Sequence, residues 1–579
     1  MKKLLLIVVA LLLIPKSVWS YSYTRNVAAP CGAADVQAAI TDARTHAGDV
    51  LVSIPNCQPA AWNASVSVNM VGANCDSLTI QGQSKTGTML TNPTFLVTNA
   101  ANKFFRLSNF NFVVGGTGNA ASSAEGFITM NGRTKYIAAT GKGGFRVDNI
   151  NLDMTVDPKG HGSRFVSITA NGSGGGADQA ELFGVIDHIG SAATPAHWCG
   201  QFSIVRGGAR AYSTGNYPWY MPETFGSTDA VYLQDSVIAN CSPHYDDSVP
   251  PVLLLETYIM DNESGSKVAI RDNTFSNYNF GGHDYVQNSR GARGWEVYRN
   301  VWKYDATFTD GMPFVDIRGG TGYIFDNYAE SVTSRPFFGP CDGIMFNNVR
   351  SWVGAYSGTS ICDATTEKYC FKGDSYVSGS TYNKPCSSDA DCDSGYGTGA
   401  CQPADMNLGT DGSVGYPCRD QVGRGQDLGY SGSTYLGQRA YPALIWNNTV
   451  KMAGAAVKPV VPVVFQPGGA DSVKLASHLK PDRDWCYNAT TKPTQCPPGT
   501  NVAAYSPLGT HPLVSGEAPT CTPADANSDG SINISDVQTC INVILGTDTI
   551  ESHRTCSDVN GGGVNITDCQ GIINKILNP

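Results

Sequence analysis

The sequence predicts an all-β chain wound into a solenoid of stacked coils, with a small helical module at its C-terminal end. Three observations carry this. Charged residues make up 15% of the chain and Gly accounts for 64 of its 579 residues, whereas ordinary globular chains are ~25% charged and ~7% Gly. That composition disfavours coiled coils and helical bundles and suits many short strands joined by turns. Next, short strands ending in Asn or Asp recur along the body, and the second Asn of the motif returns at Asn273, Asn300, Asn327 and Asn348, in steps of 27, 27 and 21 residues. A strand repeat of roughly 20–30 residues marks coils that bury their apolar faces only by stacking. Finally, an acidic loop leading into an amphipathic helix occurs twice in the last 60 or so residues.

The bulk properties remove several functional classes. With 41% apolar residues the chain can fill a large core, which argues against wholesale disorder. The formal charge is −10 and no Lys/Arg run follows the N-terminus, so a nucleic-acid partner is not expected. Lys2 and Lys3 precede an apolar run from Leu4 to Pro15, and Val18 and Ser20 occupy the −3 and −1 positions of a cleavage site. This pattern predicts a signal peptide over residues 1–20 and an exported product. The run is too short to span a bilayer, so no membrane insertion is expected. Loss of Lys2, Lys3 and Lys16 takes the charge from −10 to −13. All 18 Cys follow the leader, and in an oxidising compartment they are expected to be mostly disulfide-bonded.

The body, residues 21–506, opens on a helix-like stretch from Asp35 to Arg44 with Val36, Ala39, Ile40 and Ala43 on one face. A cap of this kind covers strand edges that an open solenoid end would expose. The coils follow, with strands around Arg106–Phe112, Arg146–Leu152, Ile186–Ile189, Leu233–Ile238, Ile270–Phe275, Val297–Trp302, Ile324–Ala329, Met345–Val349 and Ile445–Val450. Asn suits their corners because it tolerates the left-handed conformation and its amide can hydrogen-bond along a stack of like residues. An insert at about residues 355–425 holds Cys362, Cys370, Cys386, Cys392, Cys401 and Cys418 without CxxC pairs or nearby His, which favours disulfides over zinc. Pro507, Pro512, Pro519 and Pro523 predict a linker over 507–520.

These motifs bring a family into view. Phe225-Gly-Ser-Thr-Asp-Ala-Val-Tyr232, Arg290-Gly-Ala-Arg-Gly-Trp-Glu-Val-Tyr-Arg-Asn300, Arg419-Asp-Gln-Val-Gly-Arg424, Tyr441-Pro-Ala-Leu-Ile-Trp-Asn-Asn448 and Tyr505-Ser-Pro-Leu-Gly-Thr-His-Pro-Leu513 resemble the right-handed parallel β-helix superfamily that includes pectate lyases and polygalacturonases. Within it they look like secreted bacterial β-helix proteins of ill-defined activity. The resemblance implies a right-handed β-helix and a polysaccharide partner, degraded by lyase or hydrolase chemistry. A non-catalytic carbohydrate-binding or surface adhesion protein is the alternative.

On such a body, outward side chains of stacked strands form the groove. In Pro313-Phe-Val-Asp-Ile-Arg318, Val315 and Ile317 face inward and Asp316 and Arg318 outward. Aligning the two preceding coils places Glu256, Gln287 and Asp316 in one row. Its carboxylates are then two strand spacings apart, about 9.6 Å between backbones, near the ~6.5–9.5 Å of inverting glycosidases. His283, Arg290 and Arg293 lie in the same neighbourhood and complete the candidate catalytic set. A lyase acting on a uronic polymer needs a base for the α-proton and a cation facing the sugar carboxylate. Tyr212, Tyr217, Trp219 and Tyr220 form a candidate sugar-stacking platform.

The C-terminal chemistry is more specific. Asp525, Asn527, Asp529, Asn533 and Asp536 occupy positions 1, 3, 5, 9 and 12 of a loop, with Gly530 at 6 and the Ser531 carbonyl at 7. Hard oxygen donors at this spacing bind Ca²⁺. Val537, Cys540, Ile541, Ile544 and Leu545 then share one helix face, and the array returns 32 residues later as Cys569, Ile572, Ile573, Ile576 and Leu577. The second loop, with ligands Asp558, Asn560, Asn565 and Asp568, has 11 residues and lacks the carboxylate at position 5, so its site should be much weaker. The duplication resembles a type I dockerin over residues 521–579, which implies a cohesin-bearing scaffold as partner. Ile534, Ser535, Ile566 and Thr567 then stand where dockerins select that partner. Cys521, Cys540, Cys556 and Cys569 are expected to form two disulfides there.

Overall fold

The computed structural model describes residues 21–58, 61–114, 126–154, 164–170, 181–207, 224–240, 258–282, 291–305, 313–332, 343–346, 438–464, 479–514, 534–544 and 565–577, with Ser557 and short pieces between 368 and 435. Among them the chain is mostly β, with three helices.

The strands pair in parallel with the strand one coil later, and they line three faces around one core. The first face runs through Cys75–Gly82, Phe104–Val113, Gly144–Asp153, Gly184–Ile189, Val231–Gln234, Lys267–Arg271, Gly294–Tyr298, Thr321–Phe325, Ala443–Trp446 and Trp485–Asn488. The second holds Ala196–Trp198, Val237–Asn240, Thr274–Ser276, Val301–Tyr304, Tyr328–Ser331 and Thr449–Met452. The third runs from Val66–Asn69 through Phe95–Asn99, Ile128–Gly132, Val166–Ala170, Ser203–Arg206, Tyr258–Glu263, Asn279–Gly282 and Val315–Ile317 to Ile344–Phe346 and Val463–Val464. Alternation sends every second side chain inward. On the third face the registered column Val66, Phe95, Ile128, Val166, Ser203, Met260, Phe280, Val315 and Ile344 is fully buried, and all but Ser203 belong to the main apolar core. Helix α1 (Ala33–Ala43) covers the first coil with Val36, Ala39, Ile40 and Ala43 buried, as its spacing predicts. A disulfide joins Cys31 to Cys57.

The corners between first and second faces divide the two tasks expected of one Asn. The first residue of each pair takes the left-handed conformation: Asp235, Asp272, Arg299, Asp326 and Asn447 have φ between +50° and +58°. The second residue points into the corner and forms a ladder. Asn273 Nδ2 donates to Asn300 Oδ1 at 3.0 Å, Asn300 to Asn327 at 3.0 Å, and Asn327 to Asn448 at 2.8 Å. The rung after Asn327 is therefore Asn448 and not Asn348. The insert intervenes in sequence, while Thr321–Phe325 pairs directly with Ala443–Trp446. Equal sequence spacing fails here because a solenoid fixes the spatial step, not the length of chain between steps.

The expected linker also differs in its first half. Residues 505–514 lie against the first face, with His511 and Leu513 buried. Beyond them, α2 (Ile534–Ile544) and α3 (Ile566–Leu577) pack through Val537, Cys540, Cys569 and Ile572, and a Cys540–Cys569 disulfide joins them. The far ends of both stripes are more open, with Ile544 40% and Leu577 71% exposed. Among the described residues no helix is long and apolar enough to cross a membrane.

Candidate functional site

On the third face the outward column passes through Asp316. The strand before it is Asn279–Gly282, so the neighbour of Asp316 is Gly281 and the next residue along is Asp261. The sequence alignment had put Gln287 and Glu256 in these places. The register is set by Phe280, the bulky side chain that fills the core opposite Val315. Asp261 and Asp316 thus stand two strand spacings apart. A side chain at Gly281 would meet the Tyr258 ring at 2.8 Å, so that ring occupies the space above the glycine.

Tyr258 links the cluster. Its hydroxyl donates to Asp316 Oδ2 at 3.2 Å and accepts from Arg318 Nη2 at 2.8 Å, while Arg318 Nε lies 3.4 Å from Asp316 Oδ2. On the other side Arg164 donates to Gln201, and Gln201 Nε2 donates to Asp261 Oδ2 at 3.1 Å. Val315 and Ile317 are buried in the core and Asp316 points away from it, as expected, yet Asp316 is also fully buried. Arg318 keeps 19% of its side chain exposed. Arg293 is buried just before the Gly294–Tyr298 strand of the first face. Glu256, His283, Arg290, the aromatic group Tyr212, Tyr217, Trp219 and Tyr220, and Cys362, Cys392 and Cys418 of the insert lie outside the described residues, while Cys370, Cys386 and Cys401 sit on three short antiparallel strands, Lys368–Phe371, Pro385–Cys386 and Ala400–Pro403. Alternation along Ile259–Glu263 was the sequence signal for Asp261; Arg164 and Gln201 had none, since their place depends on register.

The first face carries a second polar array. Arg106 donates to both oxygens of Asp148, at 2.8 and 2.6 Å, and Arg146 to both of Asp187, at 2.9 and 2.8 Å. His188 Nδ1 lies 2.6 Å from Asp187 Oδ2. Burial pushes the Asp187 carboxyl up, but Arg146 and His188 outweigh it and hold it well below the usual range. Burial alone would lower His188, and Asp187 more than reverses this. Lys85 Nζ donates to the His188 and Gly190 carbonyls at 3.3 Å each, and burial lowers its pKa to about 8. Asp148 and Asp187 are each paired with an arginine of the same chain, the pattern of a structural network.

In the C-terminal module, Asp536 and Asp568 are both fully buried in the first turns of α2 and α3. Asn565 precedes α3, its Oδ1 accepts the Thr567 amide at 2.9 Å, and its own amide donates to Asp568 Oδ2 at 3.0 Å. This reciprocal cap fixes the end of the loop. Asp525, Asn527, Asp529, Ser531, Asn533, Asp558 and Asn560 lie outside the described residues. The oxygen-only donor set and the two buried carboxylates fit a hard cation such as Ca²⁺. Ile534 and Ile566 are 75% and 70% exposed at equivalent positions, large apolar side chains left to solvent.

Residues 523–577 match the type I dockerin domain family. Dockerin domains of this type bind calcium and support assembly with cohesin-bearing scaffolds, and the proteins that carry them are typically extracellular or associated with the cell surface. No curated protein and no solved structure matches the chain.

Proposed function

We propose that the protein is an exported right-handed parallel β-helix, related to the pectate-lyase-like superfamily, that engages a polysaccharide while its C-terminal module docks onto a cohesin-bearing scaffold. The dockerin match over 523–577 carries this reading. Ca²⁺ is held in the first loop by Asp525, Asn527, Asp529, the Ser531 carbonyl, Asn533 and Asp536, and more weakly in the second by Asp558, Asn560, Asn565 and Asp568. The body spans residues 21–506 with a disulfide-stapled insert at about 355–425, and the leader of residues 1–20 is removed on export.

Polysaccharide meets the body on the third face, near Asp316 and Arg318, with Glu256, His283, Arg290 and Arg293 as the other candidates for catalysis. Support comes from the convergence of Asp261, Tyr258, Asp316 and Arg318 on one outward row. A second reading, a non-catalytic carbohydrate-binding or adhesion protein, draws on one specific observation: Asp316 is fully buried and already bonded to Tyr258. Acidic and neutral polysaccharides incubated with the full chain separate the two. Unsaturated products mark a lyase and new reducing ends a hydrolase. Asp316→Asn should cut either rate by at least ~10²-fold if Asp316 transfers a proton. Polysaccharide retention without product selects the binding protein.

A further inference from the structure

The segment expected to be a free linker is bound along the first face. Its path runs back across the coils, from the late ones toward the early ones. The Tyr505 ring stacks on Tyr323 with centroids 3.9 Å apart, and its hydroxyl donates to Glu296 Oε2 at 2.6 Å. The Gly226 amide donates to the same carboxylate at 3.0 Å. A Cβ on Gly226 would meet the Ser506 carbonyl at 2.1 Å, so only glycine admits the segment this closely. Next, the Leu508 carbonyl accepts from Arg271. The His511 ring packs edge-on against Tyr232 at 5.0 Å and Tyr136 at 6.4 Å. Finally, the Leu513 carbonyl accepts from Arg146 at 3.3 Å, and its side chain joins Phe104, Val185, Ala230, Tyr232 and Ala269.

The dimensions agree with an extended strap. Eight residue steps from Tyr505 to Leu513 reach about 28 Å when extended. The strands contacted, from Thr321–Phe325 back to Phe104–Val113, are six strand spacings apart, about 29 Å. Buried arginines of the coils meet backbone carbonyls of the strap, so the contact is built from both sides. Val514 is the last described residue of this stretch, and the dockerin match begins at residue 523. Nine residue steps reach at most about 32 Å.

We propose that residues 505–514 form a strap bound in cis, and that it delivers the dockerin module to the flank of the early coils instead of beyond the last one. A solenoid held only by nearest-neighbour contacts frays one coil at a time. The strap ties non-neighbouring coils together, and it fixes where on the body the scaffold attaches. The third face, with Asp261 and Asp316, is left clear of it.

The test uses the full chain with Ca²⁺ and a lysine-reactive cross-linker. The module has one lysine, Lys575. The early coils offer Lys135 and Lys142, whose side chains are 39% and 48% exposed, and the late coils offer exposed Lys451 and Lys458. Cross-links from Lys575 to Lys135 or Lys142 should exceed those to Lys451 or Lys458 by at least ~5-fold. In the Tyr505→Ala, Leu513→Ala double variant that preference should fall below ~2-fold. Hydroxyl-radical footprinting of the wild type decides the matter even if the double variant misfolds. His511 and Leu513 should be oxidised at least ~10-fold more slowly than in the denatured chain. A wild type in which His511 reacts as in the denatured chain, or in which Lys575 prefers the late coils, would overturn the proposal.

Discussion

The coil body and the C-terminal module both bury carboxylates, and they differ in what balances them. Asp148 and Asp187 in the body are each clasped by an arginine of a neighbouring strand. Asp536 and Asp568 in the module begin helices that follow loops of oxygen donors, and we propose that Ca²⁺ balances them. The body should therefore hold its structure without metal, whereas the module should not. Network closure within the chain gives stability and leaves little free chemistry. An open donor set gives a ligand site and makes folding conditional on the ligand.

The largest effect expected on the body side is from Asp187→Ala. It leaves Arg146 buried without its main partner, a loss of about 3–5 kcal/mol, read as a lowered denaturation midpoint that chelator does not change. On the module side, Cys540→Ser with Cys569→Ser removes a cross-link between residues 29 apart. Chain entropy predicts a cost of about 3–4 kcal/mol. It should appear only in the transition that responds to Ca²⁺; a shift in the body transition instead would mean the two parts are not separable.

Asn300→Ala should cost about 2–3 kcal/mol, since it strands the buried partners of one ladder rung. Asn448→Ala should cost as much, because its Oδ1 accepts from both the backbone amide and Nδ2 of Asn327, and a loss below ~0.5 kcal/mol there would remove Asn448 from the ladder.

Acid should act on the strap. Burial lowers the His511 pKa to about 3, and Arg271 and Arg146 add to this, with Asp187 opposing. Its Nδ1 accepts the Leu513 amide at 3.1 Å, which places the proton of the neutral ring on Nε2. The folded value lies below the unfolded ~6.5, so the unfolded chain takes up the proton first. Stability is complete above pH 6.5 and falls as pH drops toward 3. Between pH 6.5 and 5 the loss should be about 2 kcal/mol, and His511→Phe should flatten that slope in a melting series.

Legibility in the sequence followed the range of the interactions. The inward residues Val315 and Ile317, the cap residues Val36 and Ile40, and the paired helix faces of the module follow from local periodicity, and the structure places them as read. Parallel mostly-β pairing came from the recurrence of corners. Partners across coils did not. Gln287 was assigned beside Asp316 where Gly281 stands, because strand register depends on which bulky residue fills the core. Ile445–Val450 reads as a coil, but its spacing does not pair Asn448 with Asn327, because the insert lengthens the chain between them. The strap was read as a linker from its prolines, since nothing local marks Glu296, Arg271 and Arg146 as its hosts.

Folding of the module should depend on metal, and folding of the body should not. Calorimetric titration of the full chain with Ca²⁺, beside the Asp525→Ala chain, tests it most directly. The wild type should bind one Ca²⁺ tightly and a second weakly or not at all, and Asp525→Ala should lose the tight site while the body keeps its melting transition. A wild type without a tight site, or a tight site that survives Asp525→Ala, would contradict it.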